Sequence, residues 1–181
     1  MENLDHNGPV LLLPNHVALV DPRILLYFLG KHMDISPVAS EKYYNRFLFK
    51  QLMQLVGTIP IGDLENGGDK DAVREAFSSI VSALESGKNV LLYPSGQIYR
   101  QGFESIIGKQ SAFFTVQSLP ENTRVLGVRV SGLWGSMWSM VWDNGKSGMV
   151  FLFLKAFWLV LANGIFFLPK REVGIEIEDI T

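Results

Sequence analysis

The sequence predicts one α/β domain over residues 1–181, built on a mixed, largely parallel β-sheet that is flanked by helices. Short apolar runs typical of buried strands alternate along the chain with helical patterns, and this alternation indicates parallel strands joined by crossover helices. The length of 181 residues suits a single domain with a substantial core. Apolar residues make up 48% of the chain and charged residues only 19%, so the chain is more apolar than an average soluble domain.

Six segments have the pattern of strands. The first five are short and mainly apolar, as expected of buried strands, and the sixth alternates apolar with charged residues, as expected of a strand with one wet face. In chain order these segments are 10–13, 35–39, 58–61, 89–93, 125–130 and 172–177.

Four segments have the pattern of helices, and the third of them has the clearest spacing of apolar residues by three and four positions. They are 22–29, 41–56, a helix that starts near Asp69 or Asp71 and ends before Gly87, and 111–117. Gly30, Gly57 and Gly87 follow the first three helices, where glycine commonly ends a helix.

The segment 149–168 is apolar except for Lys155 and an Asn163-Gly164 break. Its twenty residues have the length of a bilayer span, but a lysine inside a span costs a few kcal/mol and Asn-Gly usually marks a turn. The sequence leaves three interpretations open: a core or cap helix, a helix embedded in one leaflet of a membrane, and a true span. Six aromatic side chains in the segment favour contact with a membrane surface.

Composition excludes several classes of function. The net charge of −2 argues against a nucleic-acid partner, and the absence of cysteine excludes disulfides, thiolate nucleophiles and Cys-ligated zinc. His6 and His32 have no partners at ligand spacing, so no metal site is predicted.

The segment 15–22 reads as the end of a strand, a loop that presents His16, and a helix that begins at Asp21-Pro22. A histidine near an aspartate can act as a general base whose ring the carboxylate orients. Asp21 also suits the N-cap of the helix, with Pro22 at the first helical position. One carboxylate oxygen could cap the helix while the other binds the histidine, so both interpretations stay open.

Four segments resemble, in order and spacing, the four sequence blocks of the glycerolipid (lysophospholipid, or PlsC-type) acyltransferases. The first block of that family is Asn-His, four residues, then Asp, and the second is Gly-x-Ile-hydrophobic-Ile. The third is a strand ending in Phe-Pro-Glu-Gly, and the fourth is close to Val-Ile-Pro-Val. Here the blocks are Asn15-His16 to Asp21, Gly57-Thr58-Ile59-Pro60-Ile61, Tyr93-Pro94-Ser95-Gly96 and Val125-Leu126-Gly127-Val128. The resemblance covers nearly the whole chain.

The chain departs from the family pattern at two blocks. Ser95 stands where the family usually has Glu, and no Arg follows two residues after Gly96. The second block is followed by Gly62-Asp63 instead of the usual Arg. The missing residues help to hold the glycerophosphate head group in family members, so the departures concern the acceptor more than the reaction.

Three segments resemble the branch of this family that is fused to AMP-forming acyl–acyl-carrier-protein (ACP) synthetases. They are 93–99, 132–136 and 161–167. The resemblance implies an acyltransferase domain, excised from a larger membrane-associated protein, that reacylates lysophospholipids, typically 2-acylglycerophosphoethanolamine. It also implies a peripheral location at the cytoplasmic face of the membrane and a role in phospholipid biosynthesis.

The resemblance also implies the fold of a glycerol-3-phosphate acyltransferase and a mechanism. His16 is the general base that takes the proton of the acceptor hydroxyl, and Asp21 orients its ring. Acyl-CoA or acyl-ACP supplies the acyl group, and direct transfer needs no metal, no other cofactor and no covalent enzyme intermediate. The residues expected on the substrate side are Asn15, Gly57, Ile59, Pro60, Pro94, Ser95 and Gly96. Backbone N–H groups around Pro94-Ser95-Gly96 are candidate oxyanion donors.

Arg100 and Arg129 are candidate ligands for a phosphate, because they follow the third block and lie in the fourth, and Arg binds phosphate through two donors. A solvated surface Arg is the alternative interpretation of each, and the apolar strand neighbours of Arg129 argue against it there. Trp134 and Trp138 are further candidates for contact with lipid. A nucleophilic Ser95 is disfavoured, because Tyr93 and Gln97 stand where a nucleophile elbow has glycines. A lipid- or acyl-binding module without turnover and an acyl-thioester hydrolase remain the alternative functions.

Overall fold

The computed structural model describes residues 8–45, 50–62, 70–100, 102–107, 109, 111–142, 149–163 and 170–181. Six strands form one sheet: β1 (Val10–Pro14), β2 (Ile35–Ser40), β3 (Ile59–Ile61), β4 (Asn89–Leu91), β5 (Arg124–Ser131) and β6 (Gly174–Asp179). Their order across the sheet is β3-β2-β4-β1-β5-β6. All neighbours pair in parallel except β5 and β6, which are antiparallel. The predicted α/β class with a mixed, largely parallel sheet is confirmed.

Helices lie on the connections between the strands. They are α1 (Asp21–Leu29), α2 (Glu41–Tyr44), α3 (Lys50–Leu55), α4 (Lys70–Glu85), α5 (Ser111–Gln117) and α6 (Met149–Asn163), with a short 3-10 helix at Met140–Trp142. Alternate side chains of the central strands point to opposite faces, so the sheet carries two apolar cores. Leu12 and Leu126 pack with Leu25 of α1 in one core, and Leu11 and Val90 pack with Ile80 of α4 in the other.

The prediction of a continuous helix over 41–56 is wrong at Asn45. Asn45 ends α2, because its backbone leaves the helical region after its N–H has bonded to Glu41 O. Residues 46–49 of the predicted helix lie outside the described residues. The predicted end of this segment at Gly57 is confirmed, since the N–H groups of Gly57 and Thr58 bond back to Gln54 O and Met53 O in the pattern of a glycine C-cap.

The apolar segment 149–168 forms α6 as far as Asn163, and its remaining residues lie outside the described part. Ala156 is buried, whereas Leu154, Phe157, Trp158 and Leu161 are each between 60% and 70% exposed. These four side chains recur at intervals of three and four residues, so they lie on one face of the helix. Within the described ranges, no helix combines the length and apolar character needed to cross a bilayer.

The topology determines where loop residues can meet. β1 lies in the interior of the sheet between β4 and β5, and all three run in the same direction. The segments that follow these strands therefore leave the sheet at one edge, which is the usual place for a site in an open α/β sheet. The first, third and fourth blocks of the sequence converge at this edge.

Candidate active site

Asn15 continues the pairing of β1 with β5 beyond the end of the strand. Its backbone N–H donates to Val128 O at 3.2 Å. Its side-chain amide then bonds the backbone of Val130 twice, with Nδ2 donating to the carbonyl at 3.0 Å and Oδ1 accepting from the N–H at 2.6 Å. The amide thus holds the chain against β5 at the residue before His16. These contacts make Asn15 a structural support for the histidine loop.

His16 and Asp21 are in contact, as their spacing predicts. Nδ1 of His16 lies 3.2 Å from Oδ2 of Asp21. The side chain of Asp21 is fully buried, and that of His16 is 15% exposed. An ionised Asp21 accepts from Nδ1–H, which leaves the lone pair of the imidazole on Nε2. This is the tautomer that a general base requires.

Asp21 does not cap α1, and that expectation from the sequence is wrong. The helix begins at Asp21 itself, Val20 occupies the N-cap position, and no side chain caps the helix. The carboxylate points back to the loop, where Oδ2 accepts from the N–H groups of Val17 and Ala18 as well as contacting His16. Charge-assisted bonds of this kind are stronger than neutral ones, so Asp21 shapes the loop that carries the histidine.

Tyr93, the first residue of the third block, lies against the imidazole of His16. The two rings stack with centroids 4.1 Å apart and an angle of 26° between their planes. Burial raises the pKa of Tyr93 well above 10, and the charges of Asp21 and Glu104 raise it further, so the phenol stays neutral. The Tyr93 hydroxyl and Oδ1 of Asp21 are buried, and no described residue forms a hydrogen bond with either.

The turn after β4 brings Ser95 to the site. Gly96, with φ of +64°, donates its N–H to Tyr93 O at 3.0 Å and closes the turn. Since Pro94 has no N–H, Ser95 N–H remains as the candidate oxyanion donor among the three residues predicted for that role.

The hydroxyl of Ser95 is engaged with neighbours other than the histidine ring. Ser95 is buried, and its Oγ lies in hydrogen-bond contact with Oε1 of Glu104 and 3.0 Å from Gln97 O. A serine nucleophile passes its proton to a base such as Nε2 of His16, whereas the Ser95 hydroxyl is bonded to Glu104 and Gln97 O. This arrangement gives further reason against a nucleophilic Ser95.

Two further loops hold the histidine loop from outside. Tyr99 donates its N–H to His16 O at 3.1 Å, and its ring stacks on Trp134 with centroids 4.9 Å apart. Leu19 donates its N–H to Trp138 O at 3.0 Å. Trp134 and Trp138 are both partly buried against the core. Their predicted contact with lipid stays a prediction.

Comparison with known proteins identifies the family of the chain. The model of the family described as Acyltransferase matches residues 1–169. The chain belongs to the acyltransferase family. No curated protein sequence matches the chain.

A solved structure supports the fold of this acyltransferase. It is the 1-acyl-sn-glycerophosphate (LPA) acyltransferase PlsC from Thermotoga maritima, which superposes with a TM-score of 0.53 at 18% sequence identity. The match covers 76% of this chain and 52% of that chain, so the chain spans about half the length of that protein.

The second block of this acyltransferase lies apart from His16. β3 is the edge strand, and β2 and β4 separate it from β1, which puts β3 roughly 14 Å away at ordinary strand spacing. Ile59 and Pro60 lie on this edge strand, and Gly57 precedes it, at the end of the sheet opposite to the histidine loop. The structure therefore brings the first, third and fourth blocks together but not the second, and within that block Gly57 lies farthest from the histidine loop.

The two candidate phosphate ligands differ in position. Arg100 is exposed and follows Tyr99, whose backbone bonds to His16, so it lies beside the site. Arg129 points to the face of β5 opposite to Val128 and Val130, is 75% exposed, and lies 3.7 Å from Glu176 of β6. Arg100 therefore stays a candidate next to the histidine loop, whereas Arg129 pairs with a surface carboxylate.

Sequence reasoning missed two residues. Glu104 contacts both His16 and Ser95, and Arg171 donates to the carbonyls of Gly132, Trp134 and Gly135 at 3.4, 3.0 and 2.9 Å. Glu104 contacts His16 across 88 positions, and Arg171 contacts its carbonyls across 36 to 39 positions. Both residues lie in segments without a strand or helix pattern. The one available signal was Ser95 itself, since a missing acidic residue in a motif invites a search for a substitute nearby.

Proposed function

We propose that this acyltransferase moves a fatty acyl group from acyl-CoA or acyl-ACP to a hydroxyl of a lysophospholipid or glycerophosphate, with His16 as general base and Asp21 as its orienting partner. One observation carries this proposal: Nδ1 of His16 lies 3.2 Å from Oδ2 of Asp21, just after an interior strand of the sheet, in a chain that belongs to the acyltransferase family. The paired atoms favour the imidazole tautomer with a free lone pair on Nε2.

The proposed reaction is a direct transfer. Nε2 of His16 takes the proton of the acceptor hydroxyl as its oxygen attacks the thioester carbonyl carbon. The tetrahedral intermediate carries its negative charge on the former carbonyl oxygen, and Ser95 N–H is the candidate donor to it. The intermediate then breaks the carbon–sulfur bond, and the leaving thiolate takes the proton from Nε2. Asp21 and the ring of Tyr93 stabilise the imidazolium between these steps.

The acceptor is the less defined substrate. Arg100 is the cation best situated to contact its phosphate, and Ile59 and Pro60 would meet parts of the acceptor farther from the hydroxyl. The likeness of 93–99, 132–136 and 161–167 to the synthetase-fused branch supports 2-acylglycerophosphoethanolamine as the acceptor and a larger bifunctional polypeptide as the parent protein.

We further propose that the protein works as a peripheral protein at the cytoplasmic face of a membrane, where its lipid substrates partition. The exposed face of α6 formed by Leu154, Phe157, Trp158 and Leu161 supports contact with a lipid surface. Four adjacent large apolar side chains on one helix face are unusual on a surface that meets only water.

A transfer assay with labelled acyl thioester and a panel of lysophospholipids tests the reaction. His16→Ala should lower kcat by at least ~100-fold while the protein stays folded, because a general base contributes on the order of 10²–10⁴ in rate. His32→Ala is the matched control, since His32 is exposed and remote in the fold. Equal turnover by wild type and His16→Ala would refute the role of His16.

The products of the same assay separate the alternatives. A new diacyl phospholipid supports the transferase. Free fatty acid without a new phospholipid would indicate a thioester hydrolase, and binding to liposomes without consumption of thioester would indicate a binding module.

A further inference from the structure

We infer that Glu104 is a positioning residue for His16, and that its carboxylate replaces the acidic side chain that the third sequence block of this chain lacks. The inference rests on the proposed function of His16. It concerns a residue that lies outside all four blocks, in the loop that follows the third block.

One carboxylate oxygen of Glu104 joins two parts of the site. Oε1 accepts from the backbone N–H of His16 at 3.1 Å and from the hydroxyl of Ser95. Glu104 is separated from His16 by 88 positions in sequence and from Ser95 by nine. The carboxylate therefore links the loop that carries the base to the turn that follows β4.

The position of this carboxylate matches the reach of a glutamate at position 95. The Oγ atom of Ser95 stands where Cγ of a glutamate would stand, and in a glutamate each carboxylate oxygen is two bonds beyond Cγ. An oxygen of Glu104 in close hydrogen-bond contact with Ser95 Oγ thus occupies space that the missing side chain would fill. Ser95 and Glu104 together place a carboxylate within the reach of a glutamate at position 95.

The contact completes the set of restraints on His16. Glu104 binds its N–H, Tyr99 N–H binds its C=O, Asp21 binds Nδ1, and the ring of Tyr93 supports the imidazole. Loss of the carboxylate frees one end of the residue and leaves its N–H without a partner. A shift of the imidazole by about 1 Å is enough to cost on the order of 100-fold in rate.

Kinetics of two Glu104 variants test this role. Glu104→Ala should lower kcat by roughly 10- to 100-fold with little change in KM, because the base is misplaced while acceptor binding is retained. Glu104→Gln, which keeps the shape, should lose less. Glu121→Gln, at an exposed position, is the matched control and should match wild type. A raised KM with unchanged kcat would overturn the inference, because it would assign Glu104 to acceptor binding.

A transfer of the carboxylate to position 95 is the sharper test. Ser95→Glu alone should be impaired, because it brings two carboxylates into contact. The double variant Ser95→Glu with Glu104→Ala should recover most of the kcat lost in Glu104→Ala. Thermal unfolding shows whether the double variant is folded. If it is folded and recovers none of the lost kcat, the inference that Glu104 stands in for a carboxylate at position 95 is refuted.

A measurement that needs no turnover keeps this inference separate from the proposed function. The amide proton of His16, bonded to a carboxylate, should resonate downfield in the NMR spectrum of wild type. It should move upfield in Glu104→Ala and in Glu104→Gln but stay in place in Glu121→Gln. A resonance that stays in place in the Glu104 variants refutes the contact. If the resonance moves in these variants but the wild type shows no transfer activity, only the proposed reaction is refuted.

Discussion

The phenol ring of Tyr93 stacks on the imidazole of His16, and the two residues belong to different sequence blocks, 77 positions apart. The face of an aromatic ring is electron-rich, so in the proposed reaction the ring of Tyr93 would attract the imidazolium that forms when the base takes a proton. In the proposed reaction, the stack would stabilise the transition state in addition to its part in the packing.

Substitution of Tyr93 should separate its ring from its hydroxyl. Tyr93→Phe should retain kcat and leave stability unchanged or raise it by up to about 1 kcal/mol, because the hydroxyl is buried and no described residue bonds to it. Tyr93→Leu removes the stack and should lower kcat by roughly fivefold to tenfold, which corresponds to about 1 kcal/mol. Transfer kinetics and thermal unfolding measure both, and a fully active Tyr93→Leu would contradict the role of the ring.

Substitution of Asp21 should impair both rate and stability. Asp21→Asn keeps the size of the side chain but loses the charge that orients Nδ1–H and accepts from Val17 and Ala18. We expect kcat to fall by at least ~100-fold and unfolding free energy to fall by about 1–3 kcal/mol. Asp34→Asn, at an exposed carboxylate, is the control for the change of charge. Wild-type kcat in Asp21→Asn would contradict the proposed pair.

Gly57 should matter for folding and not for catalysis. Its φ of +63° is costly for any residue with a side chain, so Gly57→Ala should lower the unfolding free energy by about 1–2 kcal/mol. Gly87→Ala is a matched control, because Gly87 ends α4 with φ of +82° and the same pattern of backbone bonds. Both variants should keep wild-type kcat and KM below their unfolding temperatures. A selective rise of KM in Gly57→Ala would instead support the acceptor-binding role that the second block suggests.

The exposed face of α6 should govern binding to lipid. Phe157→Ser together with Trp158→Ser should reduce sedimentation of the protein with vesicles of phosphatidylethanolamine and phosphatidylglycerol. The tryptophan emission of the wild type should shift to the blue on addition of these vesicles, because the Trp158 indole leaves water, and the double variant should lose this shift. Tyr27→Ser, which removes an aromatic side chain that is 63% exposed on α1, is the control. Unchanged sedimentation of the double variant would remove α6 from the proposed membrane contact.

Asp179, at the end of β6, should make the unfolding free energy depend on pH. Bonds from the Thr181 hydroxyl, from Thr181 N–H and from Arg124 lower the pKa of Asp179 from 3.8 to about 2. Because the pKa is lowered by folding, the contribution is fully present above pH 4 and is lost as the pH falls from about 4 to about 2. The stability difference between wild type and Asp179→Asn should therefore be constant above pH 4 and shrink below it in urea unfolding. A difference that does not depend on pH would contradict the interaction.

Much of the fold was predictable from local pattern. Each strand and most helices follow from the spacing of apolar residues, which is a local property, and Gly57 and Gly87 end helices because only glycine adopts their backbone angles at low cost. The break in the predicted helix at Asn45 was not predictable from spacing, since the apolar pattern continues across it.

The candidate site was predictable only where its residues are close in sequence or belong to a block. His16 and Asp21 are five residues apart, and their contact agrees with the prediction from that spacing. The sequence left open whether Asp21 also caps α1, because an Asp-Pro pair is compatible with both a cap and a turn back to the loop. The structure shows the contact with His16 and no cap. Glu104 lies in no strand or helix pattern, and its contact with His16 spans 88 positions, so only the missing acidic residue at position 95 pointed to it.

The sequence by itself determined the succession of strands and helices along the chain, the ends of three helices at Gly30, Gly57 and Gly87, and the pairing of one histidine with one aspartate. These depend on side-chain periodicity and backbone preference over a few residues. Only the tertiary structure decided that Gly57 lies at the far edge of the sheet, that Arg129 pairs with Glu176, and that Glu104 reaches His16. The physical reason is that parallel strands separate sequence neighbours and bring distant loops to one edge, so these contacts depend on the strand order rather than on any local pattern.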